Sequence, residues 1–195
     1  MNLYTAILFI HAVAVLVLTA ALTLEAWILL QLRRTMRPSD VQPWIGTMQP
    51  VAIAAITSLV VIYVTGAYLT ESLHSWAFAW PRLAVLGIVV FGFLGAVTGR
   101  RMRRVRRSAA SESMSPSAWR ALTSSAFLKV SLSTRVCIVM GTMLLTAAKP
   151  NLKGALVIFA SSLLLGLLFS FASLGRRSAL SSGYPALDAA FSGPV

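Results

Sequence analysis

Residues 3–32 read LYTAILFIHAVAVLVLTAALTLEAWILLQL, an apolar run broken by one histidine, His11, and one carboxylate, Glu25. A helix needs about 20 apolar residues to cross the hydrocarbon layer of a bilayer, so this run spans a membrane with length left for tilt. No positive side chain precedes it, and Arg33, Arg34 and Arg37 follow it. It is therefore expected to stay as a span, not to be cleaved as a signal peptide.

Outward from this run, the same length rule gives spans at about 51–70, 81–99, 126–148 and 155–174. Pro50 and Pro81 stand at helix-start positions of the second and third. The fourth contains Lys129 and Arg135, and Gly154 and Arg176–Arg177 bound the fifth. The expected fold is all-α: one five-helix membrane bundle over residues 1–177, with an irregular cytoplasmic tail at 178–195. Composition agrees. Of 195 residues 57% are hydrophobic and 11% charged, against about 25% charged in a soluble domain, and the mean hydropathy is +0.80.

The formal charge of +12 would suggest nucleic acid in a soluble chain. Here the basic residues flank apolar runs and interleave with no aromatic platform, so nucleic acid is not expected. They read as topology signals and as contacts for anionic lipid on the cytoplasmic face. With five spans, Arg33, Arg34, Arg37, Arg100, Arg101, Arg103, Arg104, Arg106, Arg107, Arg120, Arg176 and Arg177 fall on one side, against Lys149, Lys153 and boundary Arg82. The N-terminus is then outside and the C-terminus inside, as in a bacterial cytoplasmic membrane. The basic segment could continue the third helix, and residues 115–129 could lie along the interface. The outer loop 71–80 carries Trp76, Phe78 and Trp80. It is read as an interfacial aromatic anchor, with the lip of a ligand pocket as the alternative.

Ionisable residues inside spans are costly, and each is a candidate for function. His11 and Glu25 share a stripe of the first helix with Leu18 and Leu22, the expected bundle-facing side. His11 beside Arg82 is a pattern that haem b would use, imidazole on iron and guanidinium on a propionate. His74 is a second metal-ligand candidate with His11, and Glu71, Met140 or Met143 would suit copper. Glu25 and Arg135 are expected at matching depth and therefore facing one another, with Lys129 the fallback partner. Gly92, Gly95 and Gly99 form a small-residue row suited to helix packing. The single cysteine, Cys137, reads as packing. No Ser-His-Asp set, phosphate loop, carboxylate pair or His-x-x-x-His supports a hydrolase, kinase or zinc protease.

A first helix with early His11, a basic loop, and a third helix opening Trp80-Pro81-Arg82-Leu83 and closing Gly99-Arg100-Arg101 resembles a group of small bacterial membrane proteins. The group includes copper-resistance D-like proteins and the small haem-containing protoporphyrinogen oxidases. That resemblance covers the first three spans and implies a haem on His11. The oxidases carry a lysine near the start of the third helix, where this chain has Arg82, which cannot exchange a proton as an amine does. The function expected from the whole sequence is an accessory or structural subunit working with other membrane subunits. A haem-binding oxidoreductase and a small transporter are the alternatives.

Overall fold

The computed structural model describes residues 2–34, 42–109 and 126–182. Five helices account for almost all of them: α1 (Leu3–Arg34), α2 (Gln42–Ser72), α3 (Ala79–Ala109), α4 (Ala126–Ala148) and α5 (Leu152–Ser182). Each contains a stretch long and apolar enough to cross a membrane: Leu3–Leu32, Gly46–Ser72, Ala79–Arg104, Phe127–Ala148 and Leu152–Phe169. The chain is an all-α five-helix bundle with membrane-spanning character, as its hydropathy dictates. No strand occurs among the described residues.

The helix ends differ from the sequence expectation in several places. α2 begins at Gln42, so Pro50 lies inside the helix, and Pro43 takes the first-turn position that the missing N–H of proline suits. The basic run from Arg100 to Arg107 continues α3 as helix to Ala109, while residues 110–125, Trp119 and Arg120 among them, lie outside the described residues. Leu128 is fully buried, not interfacial. α5 runs to Ser182, so residues 178–182 of the expected irregular tail are helical, and 183–195 lie outside the described residues.

α1 packs mainly on α2 and α4 on α5, while α3 joins the two pairs by touching α2, α4 and α5. The buried face of α1 is a stripe of Ala14, Leu18, Leu22, Ile28, Leu29 and Leu32 at helical spacing. Three apolar layers stack along the bundle. Ile28, Leu29, Leu32 and Leu128 close the basic end; Leu18, Leu22, Phe91 and Ile138 fill the middle; Trp80, Leu145 and Ala155 close the opposite end.

In lipid, close packing and interhelical hydrogen bonds hold helices together. Thr98 and Ser131 meet at 2.7 Å between α3 and α4, both buried. The closest approach is at α4–α5. A Cβ on Gly166 would lie 2.7 Å from Thr134 Cα, and one on Gly141 would overlap the Ser162 side chain. Gly87 likewise lets α3 approach Thr142 and Ile138. Within this chain the row Gly92, Gly95, Gly99 makes no close helix approach. A Cβ on Gly99 would meet nothing within 4 Å, and those on Gly92 and Gly95 would meet only side-chain tips at 3.7 and 3.8 Å. Among the described glycines, those that permit close helix approach within the chain are Gly87, Gly141 and Gly166.

Candidate functional site

Two cavities open in the bundle, one above the other, separated by Leu59 and Phe91, which line both. The first, called outer after the orientation expected from the basic asymmetry, is about 350 Å³ and is walled by α1, α2, α3 and one face of α4. Leu8, Ile62, Ile88 and Val139 are typical of its walls, and Trp76 and Trp80 close its outer end. These two tryptophans thus form the pocket lip, and of the loop aromatics only Phe78 is strongly exposed, in the position of an anchor. No Lys, Arg, Asp or Glu occurs among the residues lining it.

His11 is the basic side chain in that wall. It sits on α1 two turns outward of Leu18 and reaches across to α2, where Nδ1 lies 2.8 Å from Thr65 Oγ1. The Thr65 hydroxyl has one proton, and its 2.6 Å bond to the Val61 carbonyl uses it. With that proton on the Val61 carbonyl, Thr65 favours the Nδ1–H tautomer of His11, in which Nε2 is the acceptor. Room for the ring comes from Gly66, where a Cβ would stand 3.3 Å from His11 Cε1. The sequence marks His11 but not its supports, Thr65 and Gly66, because a threonine and a glycine in an apolar helix carry no signal until the facing residue is known.

Of the other proposed ligands, Met143 shares this cavity and the rest do not line it. Arg82 is exposed, and its Nε donates to the Trp76 carbonyl at 3.2 Å, tying the loop to α3. It does not line the cavity that holds His11. His74 is exposed in the left-handed backbone region, φ 49°, where it ends α2 and leads into a short 3-10 turn at Ser75–Ala77. Glu71 and Met140 are exposed as well, while Met143 does line the cavity. Among the described residues no cluster of three or more His, Cys, Asp or Glu side chains could hold a metal ion.

The inner cavity, about 390 Å³, opens between α1, α2 and α3 towards the basic end. Deep in its wall the structure brings Glu25 of α1 and Arg135 of α4 together: Arg135 Nη2 donates to Glu25 Oε1. Arg135 is buried, with Nε donating to the Ser131 carbonyl at 3.4 Å and its guanidinium 5.6 Å from the Phe91 ring centre. Gly95 faces the guanidinium, where a Cβ would make an ordinary contact at 3.8 Å from Nη1. Lys129, the fallback partner, is not in this wall. Arg100 and Arg103 stand at the basic end of the same cavity. The chemistry on offer is thus one oriented imidazole in an apolar chamber, and below it a clamped ion pair beside two exposed arginines. Comparison with protein-family models, with curated proteins and with solved structures returned no match.

Proposed function

We propose that this protein is an accessory membrane subunit that holds one uncharged, lipid-soluble molecule in its outer cavity, against Nε2 of His11. It would do so in a bacterial cytoplasmic membrane, N-terminus outside, alongside other membrane subunits. The observation that carries this reading is the built environment of His11: Thr65 bonds its Nδ1, Gly66 makes space for it, and the surrounding wall is mostly apolar and free of charged side chains. A lone acceptor nitrogen in such a wall favours a ligand with an O–H or N–H group on a hydrophobic body.

Haem b is the second reading, favoured by one detail. An imidazole whose Nδ1 donates to a protein oxygen presents Nε2 as a metal ligand usually does. The wall itself offers no cation for the two propionates of haem; Arg82, whose Nε bonds the Trp76 carbonyl, stands outside the lining. An uncharged ligand fits better. The test is organic extraction of the purified protein followed by mass spectrometry and a pyridine haemochrome spectrum. A single co-purifying apolar molecule, lost in His11→Leu and kept in Arg82→Gln, supports the reading. Equal content in wild type and His11→Leu overturns it, and a haemochrome band replaces it with haem.

A further inference from the structure

The inner cavity is independent of His11 and carries a second inference. Its wall contains three cationic side chains, Arg100, Arg103 and Arg135, against one carboxylate, Glu25. Because Glu25 is engaged by Arg135, the uncompensated charge sits with Arg100 and Arg103, both exposed at the basic end. Above them the wall turns apolar, through Met48 and Val51 up to the Leu59–Phe91 partition. Gly99 borders this space with nothing within 4 Å of where a Cβ would stand. A cavity with cations at its membrane-surface end and hydrocarbon walls above has the polarity of a single phospholipid.

We propose that this cavity is a binding site for one anionic phospholipid, its phosphate on Arg100 and Arg103 and one acyl chain directed towards Phe91. Arg104 and Arg107 are also exposed on α3 but do not line the cavity, so they attract anionic lipid in general without defining this site. The small-residue row then has a use other than packing: at Gly99 the missing side chain leaves room for a chain.

The experiment is native mass spectrometry of the full-length, delipidated protein in neutral detergent, titrated with phosphatidylglycerol or phosphatidylcholine. The expected result is preferential retention of one phosphatidylglycerol. A basic residue facing an anionic lipid headgroup contributes roughly fivefold in affinity, so R100Q/R103Q together weaken binding about 25-fold, while R104Q/R107Q, outside the cavity lining, weaken it far less. Gly99→Leu, which fills the cavity without touching a charge, is expected to weaken retention at least as much as one arginine does. Ala52→Leu from the α2 wall does the same and serves if Gly99→Leu alters folding. Equal binding of the two lipids, equal loss in the two double arginine variants, or unchanged binding in both filled variants would overturn the site. So would inorganic phosphate binding as tightly as the lipid. None of these results depends on the outer cavity, since His11→Leu is expected to leave phosphatidylglycerol retention unchanged.

Discussion

Glu25→Gln is the most informative single change at the ion pair, because it leaves a charge that cannot be discharged. The Arg135 side chain is 4% exposed and that of Glu25 17%, so neither reaches bulk water easily. Breaking a buried pair by removing one partner costs about 3–5 kcal/mol. The guanidinium stays protonated whatever surrounds it, whereas a stranded carboxylate can become neutral by binding a proton. Glu25→Gln should therefore approach the upper part of that range, softened by the contacts Arg135 keeps with the Ser131 carbonyl and the Phe91 ring. Arg135→Gln should cost less. At about 2–4 °C per kcal/mol for a chain of this size, the first variant is expected to melt roughly 8–20 °C lower, and the double variant to recover part of the loss. Thermal unfolding in one detergent, followed by circular dichroism or by labelling of the half-buried Cys137, reads all four proteins. Strictly additive losses would refute the coupling, as would Arg135→Gln proving the more harmful single change.

Other consequences are as direct. Gly166→Ala drives a Cβ to within 2.7 Å of Thr134 Cα and should destabilise the α4–α5 pair by about 1–3 kcal/mol, measured as a lower melting temperature, while Gly99→Ala should be neutral or raise it by up to about 1 kcal/mol. Gly66→Val should displace the His11 ring and reduce co-purifying ligand in the extraction assay, with Thr65→Val doing so through the lost hydrogen bond alone. In a chain lacking Cys137, single cysteines at Leu73 and Arg107 should label from opposite faces of the membrane, and labelling of both from one face would refute the five-span topology.

The spans were legible because length and hydropathy are physical requirements of a bilayer that every lipid-facing residue must meet. Glu25 and Arg135 could be matched by depth for the same reason: each is costly alone, so counting turns from the inner end of each span places them at one level. Helix packing was less legible. Gly95 and Gly99 have the spacing of a packing motif, yet they border a cavity, whereas Gly87 and Gly141 make close contacts outside any such glycine pair, and Gly166 does so in a row with Ser162. Small residues reveal nothing about what faces them. Pro50 misled for a related reason, since a proline marks a helix start only when no earlier proline, here Pro43, already occupies one. The connector between α4 and α5 also has a readable chemistry: Lys149 in the left-handed region, φ 44°, then Pro150, then Asn151, whose Oδ1 accepts from Gly154 N at 3.0 Å and caps α5. At His11 the sequence exposed the imidazole but not its partners, because Thr65 lies on another helix at a separation no periodicity encodes.

The central claim is that Nε2 of His11 faces the outer cavity as a free acceptor for a bound molecule. The chain has two histidines, so ¹⁵N-histidine NMR of the purified protein, recorded before and after solvent stripping of co-purifying molecules, resolves both. The expected spectrum has His11 in the Nδ1–H tautomer, with its Nε2 signal moving when the ligand is removed and returning when the extract is added back, while exposed His74 stays unchanged. A proton resident on Nε2 of His11, or an Nε2 signal indifferent to stripping and reconstitution, would contradict the claim.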